Sequence, residues 1–92
     1  MGGMTVCKRV RYSGQVQGVG FRYTAQRLAQ DFPVGGYVRN LADGDVELVA
    51  EGPAEQVETF LGAVRRQLAG YIEHSVVQDE PLSGYRGFRI RH

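Results

Sequence analysis

Val6-Cys7-Lys8-Arg9-Val10-Arg11-Tyr12-Ser13, followed by Gly14-Gln15-Val16-Gln17-Gly18-Val19-Gly20-Phe21-Arg22, is the stretch on which the reading of this chain turns. Its first half alternates. Val6, Lys8, Val10 and Tyr12 fall on one face and Cys7, Arg9, Arg11 and Ser13 on the other, the period-two pattern of a strand over 6–13. Beyond it, apolar residues recur at Phe21, Ala25, Leu28, Ala29 and Phe32, which is one face of a helix, and Pro33 closes that helix. The glycine-rich turn is therefore a strand-to-helix connection.

The rest of the chain repeats the theme. After Gly35-Gly36, Tyr37 to Asn40 reads as a short strand and Asp43-Gly44 as a turn. Val46, Leu48 and Ala50, alternating with Glu47, Val49 and Glu51, complete a hairpin. Gly52-Pro53 ends that strand and opens a second helix, with Glu55 and Glu58 complementing its dipole. Val57, Phe60, Leu61, Val64 and Leu68 form its apolar stripe, and Gly70 ends it. Ile72 to Gln78 is a strand, Pro81-Leu82-Ser83-Gly84 a loop, and Phe88 to Arg91 a short terminal strand. The order strand, helix, strand, strand, helix, strand is two split βαβ units. It predicts an α+β fold, the ferredoxin-like sandwich (βαββαβ): a four-stranded, mostly antiparallel sheet with two helices on one face and a short C-terminal strand.

Length and charge bound the function. Ninety-two residues with 42% hydrophobic composition fit one domain over 1–92, with residues 1–4 a loose end. A net charge of +1 argues against a general nucleic-acid or membrane-surface binder. The charge is uneven, since Lys8, Arg9, Arg11, Arg22 and Arg27 all precede the first acid, Asp31. That makes the N-terminal third locally positive and suited to a phosphorylated small substrate, unless Lys8, Arg9 and Arg11 simply solvate a strand face. Cys7 is the single cysteine, which excludes an internal disulfide and a Cys/His metal quartet and suits a reducing cytoplasm. The chain shows neither a bilayer-spanning apolar run nor a secretion leader, and Val6 stands where a myristoylation signal wants serine or threonine.

Three glycines in seven residues, Gly14, Gly18 and Gly20, let successive N–H groups converge, and a helix N-terminus adds roughly half a positive charge. Such a loop suits phosphate. Arg22 adds a full charge with forked donors. The spacing fits neither a P-loop, which ends in Gly-Lys-Ser/Thr, nor a dinucleotide fingerprint, which needs a third glycine. On the hairpin, Asn40 has two readings: it shapes the Asp43-Gly44 turn through its amide, or it orients a water beside an anion without repelling it. Cys7 reads as a small buried hydrophobe, His74 and His92 as exposed polar residues, and Tyr23 either as packing or as the mouth of the site.

Gly14-x-Val16-Gln17-Gly18-Val19-x-Phe21-Arg22, followed by Gly36-x-Val38-x-Asn40-x-x-Asp43-Gly44-x-Val46-Glu47, resembles the acylphosphatase family. The resemblance spans nearly the whole chain, including the Phe88-x-Ile90 ending. It implies a metal-free hydrolase of carboxyl-phosphate mixed anhydrides, with no cofactor. The family's essential arginine falls on Arg22 and its water-positioning asparagine on Asn40. Its phosphate loop falls on Gln15, Val16, Gln17, Gly18, Val19, Gly20 and Phe21, with contacts chiefly through backbone. Two departures stand out: Phe32-Pro33-Val34 replaces glycine and leucine before the hairpin, and Arg91-His92 extends past the usual ending.

The implied chemistry explains what the motifs lack. An acyl phosphate expels a carboxylate whose conjugate acid has a pKa of roughly 4, so no general acid is needed. The implied substrate is a small acyl phosphate and the product inorganic phosphate, in a cytoplasmic monomer with neither nucleic-acid nor membrane partner. A ferredoxin-like RNA binder would carry aromatics on its two central strands, where this chain has only Tyr12. A non-catalytic phosphate or acyl-phosphate module keeps the same loop but has no use for Asn40.

Overall fold

Seven elements follow one another in the expected order in a computed structural model that describes residues 3–92. They are β1 (Thr5–Gly14), α1 (Phe21–Ala29), β2 (Gly35–Asn40), β3 (Val46–Pro53), α2 (Ala54–Gln67), β4 (Ile72–Asp79) and β5 (Phe88–Arg91). The expected loose end lies partly outside the described residues, and Met4 is already tied, its carbonyl accepting from the N–H of Ala54 at 2.9 Å. α1 is shorter than the apolar spacing predicts. Gln30, Asp31 and Phe32 donate to carbonyls three residues back, a tighter turn that leads into Pro33 and still lets the Phe32 ring pack 5.8 Å from that of Phe60.

The sheet order is β4-β1-β3-β2-β5. The four strands of the two βαβ units are antiparallel throughout, and β5 adds a fifth, running parallel to β2 at its free edge. Gly36 makes this edge, with φ 140° and its N–H donating to the Gly87 carbonyl at 2.9 Å. A Cβ there would overlap the carbonyl oxygen of Val49, so only glycine lets β2 lie this close to β3. Val34 is buried where the chain approaches β2, and the β2–β3 pairing runs unbroken from Gly35 to Asn40.

Both helices cover one face. Phe21, Ala25 and Ala29 of α1 and Val57, Phe60 and Val64 of α2 meet Val10, Tyr12, Val38, Val46, Leu48 and Ala50 in one core. The Tyr12 and Phe21 rings, 5.0 Å apart, join the end of β1 to the start of α1. Among the described residues, no helix is long and apolar enough to cross a membrane.

The other face of the sheet is more covered than the alternation in the hairpin suggests. Every residue of β3 from Val46 to Glu51 is buried. Cys7, Tyr37 and Val49 form a second apolar cluster, capped by Tyr85 from the segment before β5. Burial and the neighbouring Glu51 carboxylate push the Cys7 thiol up to about 11, which removes it as a nucleophile. Glu47 accepts from the Tyr37 hydroxyl at 2.9 Å and from Arg39 Nε at 2.7 Å, and Glu51 accepts the N–H groups of Ser83 at 2.7 Å and Gly84 at 2.8 Å.

Ion pairs consume the N-terminal positive charge, Arg9 and Arg11 on this face and Lys8 on the helix side of β1. Lys8 pairs with Asp79, Arg9 with Glu80 at 2.8 Å, and Arg11 with both Asp43 and, at 2.7 Å, Asp45. All three are held in ion pairs, which agrees with the reading that needs no ligand, but Lys8 lies on the helix side of β1 and does not share a strand face with Arg9 and Arg11.

Hydrogen bonding from the Ser83 N–H, opposed by burial and reinforced by the Gly84 N–H, holds the Glu51 carboxyl below its ordinary range. For Glu47, burial pushes upward but is outweighed by its bonds to Arg39 and Tyr37 and by the charges of Arg39 and Arg9. A carboxyl held low in the fold stabilises it above the unfolded-state pKa of about 4.5 and loses that contribution as pH falls through the folded value. Glu51→Gln is thus expected to be less stable than wild type at about pH 7, with the gap narrowing toward about pH 3. Urea midpoints at the two pH values test this, and a gap that stays constant contradicts it.

Candidate active site

Two strand registers bring the two motifs together. Val46 of β3 is paired with Tyr12 of β1 on one side and with Asn40 of β2 on the other. At about 4.8 Å between neighbouring strands, the end of β1 and Asn40 lie about 10 Å apart, at the same end of the sheet. The 15–20 loop leaves β1 there. Its start is fastened by the Gln15 N–H donating to the Tyr71 carbonyl at 2.9 Å, and its middle by the fully buried Val16. Gln17 Nε2 donates to the carbonyls of Leu41 at 2.8 Å and Asp45 at 2.9 Å, tying the loop to the hairpin turn. Gly18 and Gly20 both take φ 77°, and Gly20 is the N-cap of α1.

The N-terminus of α1 is left electrically open. No side chain caps it and no acid stands in its first turn. Its first amides, Phe21 to Tyr23, have no intrahelical carbonyl to bond, so the positive end of the helix faces outward unneutralised.

In front of it lies a cleft of about 180 Å³ lined by Val16, Gly18, Gly20, Phe21, Arg22, Tyr23, Asn40, Ile90 and His92. Arg22, half-buried in the first turn, differs from Arg9, Arg11 and Arg39: it pairs with no carboxylate among the described residues. Its one side-chain hydrogen-bond partner among the described residues is His92 Nδ1, 3.4 Å from Nη1. The turn-shaping reading of Asn40 does not apply. Asp43 Oδ1 accepts the Asp45 N–H at 3.0 Å and backbone bonds link Leu41 with Asp45 and Gly44 with Leu41, whereas the Asn40 side chain has no hydrogen bond among the described residues.

Of the residues singled out in the sequence, Arg22, Asn40, Val16, Gly18, Gly20 and Phe21 share the cleft. Gln15, Gln17 and Val19 do not line it: the first two fasten the loop, and Val19 packs against the core. Tyr23 stands at the mouth, 67% exposed, rather than in packing. Ile90 and His92 escaped the sequence reading, because nothing in a four-residue terminal strand tells where it docks. Pairing of Arg39 with Arg91 carries the chain toward the Asn40 end of β2. Among the described residues, no group of three or more His, Cys, Asp or Glu side chains is placed to hold a metal ion.

Residues 8–90 match the acylphosphatase family model. An acylphosphatase of Methanospirillum hungatei is 48% identical over 81 residues, covering 86% of this chain and 89% of its own. In structure, the acylphosphatase of Bacillus subtilis superposes with a TM-score of 0.85 at 34% identity, over 97% of this chain and all of that one. The HypF protein of T. kodakarensis superposes with a TM-score of 0.78 at 28% identity, over 97% of this chain but 12% of that much longer one. Fold, motif spacing and relatives of similar length agree, and the chain belongs to the acylphosphatase family.

Proposed function

We propose that the cleft hydrolyses the carboxyl-phosphate bond of acyl phosphates, releasing a carboxylate and inorganic phosphate, without a metal ion. Residues 1–92 act in this as a single domain, monomeric and cytoplasmic, with no nucleic-acid or membrane partner. The observation that carries the reading is an arginine that, among the described residues, pairs with no carboxylate, set against an uncapped helix N-terminus and across from an asparagine amide with no hydrogen bond among those residues.

Arg22 grips two phosphate oxygens through its forked donors, while the backbone amides of the loop from Val16 to Phe21 and of the first turn of α1 take the remaining charge; Gln15, whose N–H is spent on Tyr71, anchors the loop. Phosphoryl transfer needs little else, since its barrier is lowered chiefly by positioning and by neutralising the equatorial oxygens. Asn40 holds a water in line with the departing acyl oxygen. The water oxygen bonds to phosphorus as the phosphorus–acyl oxygen bond breaks, and the electron pair leaves on the carboxylate. The water proton passes to a phosphate oxygen. The carboxylate departs unprotonated because its conjugate acid has a pKa of about 4.

Benzoyl phosphate hydrolysis in EDTA tests the reading. Wild type is expected to turn over without metal; Arg22→Ala loses substrate binding and rate together, with kcat/KM down by about 10³ or more. Asn40→Ala loses about 10²-fold in kcat while inorganic phosphate still binds. A folded wild type that binds phosphate but never hydrolyses the substrate would make the chain a binding module instead.

The Gln17 amide holds the loop against the hairpin, so its truncation loosens the cradle rather than removing a contact to substrate. Gln17→Ala is expected to raise KM several-fold, with a smaller change in kcat, and to lower stability by about 1–2 kcal/mol for the two lost hydrogen bonds. Steady-state kinetics with urea unfolding checks this, and a KM equal to wild type counts against the tie.

A further inference from the structure

His92 follows β5 directly, and the parallel pairing that sets Arg91 opposite Arg39 brings it to the level of Asn40. Its ring lines the cleft, with Nδ1 3.4 Å from Arg22 Nη1. A guanidinium only donates, so in this contact Nδ1 can only be the acceptor. The contact is at the long end of hydrogen bonding, and the ring is exposed, so a rotation breaks it at little cost. Sharing the cleft with the ring are Arg22 and Tyr23 from α1, Asn40 from β2 and Ile90 from β5; no carboxylate is among them. Arg91, the adjacent cation, lays its guanidinium 3.8 Å over the Tyr37 ring, where it serves the other face of the sheet.

An imidazolium at this position cannot accept from Arg22, but it can donate to an anion that Arg22 holds. We propose that His92 is a substrate-binding residue of the cleft, exchanging its acceptor contact with Arg22 for a donated hydrogen bond to the bound phosphate. This rests on the cleft being the phosphate site. The bond adds a charge-assisted contact on the side of the anion facing β5. Anion binding then takes up a proton, and affinity rises as pH falls through the histidine range.

Sulfate is the probe, because it remains a dianion through that range and contributes no titration of its own. Calorimetry in buffers of different ionisation enthalpy is expected to show wild type binding sulfate about fivefold tighter at about pH 5.5 than at about pH 8, with net proton uptake. His92→Gln, whose amide can accept and donate but does not titrate, keeps affinity at the higher pH and loses both the pH dependence and the proton uptake. His92→Ala loses both as well, and in wild type the ring signals of His92, but not of exposed His74 on β4, move on addition of sulfate. If His92→Gln retains wild-type pH dependence and uptake, the inference falls while the site stands. If wild type and Arg22→Ala bind sulfate equally, or neither binds, the phosphate site itself falls and takes the inference with it.

Discussion

One row of paired residues, Tyr12 on β1, Val46 on β3 and Asn40 on β2, governs the arrangement of everything else in the cleft. A slip of one residue in either pairing would send the side chains of a whole strand to the wrong face, and the buried alternation of Val10, Tyr12, Val46, Leu48 and Val38 forbids such a slip. The glycine loop must therefore emerge two strand spacings from Asn40, with β3 between them. The Tyr12–Phe21 contact then brings α1 back over that row, and Arg22 follows in its first turn.

Electrostatics separates Arg22 from the cations of the neighbouring strands. Lys8, Arg9, Arg11 and Arg39 project from strands that face acids on β3, β4 or the hairpin turn, and each is paired. Arg22 sits where α1 begins, with no acid in the first turn and none lining the cleft. An anion entering there meets a helix end and a guanidinium whose charges nothing else has neutralised. Arg22 is thus set apart from the paired cations of the strands around it.

Much of this was legible in the residues. The period of two through Val6–Ser13 and the helical spacing from Phe21 mark the strand, loop and helix, and the element order yields the sheet topology. The positions of Arg22 and Asn40 follow from motif spacing. Other features depend on contacts between segments far apart in sequence. Local periodicity said nothing of the cover that residues 80–87 and the arginines give to Glu47 and Glu51, so β3 read as half-exposed. The end of α1 was misjudged because Phe32 keeps its place in the core through a tightened turn, which preserves the apolar spacing after the α-helical bonding has stopped. His92 is exposed, as its polar character suggests, but its place at the cleft has no signature in the sequence, because four residues do not tell where β5 docks.

The central claim is that loop, helix end, Arg22 and Asn40 act on a single phosphate. Titration of the labelled protein with inorganic phosphate, followed residue by residue in backbone and side-chain amide spectra, tests it most directly. The expected result is saturable shifts concentrated on the amides of residues 16–23 and on the Asn40 side-chain amide, with β4 and the Arg9–Glu47 face undisturbed. Shifts centred on that outer face, or a loop that responds without Asn40, would contradict it.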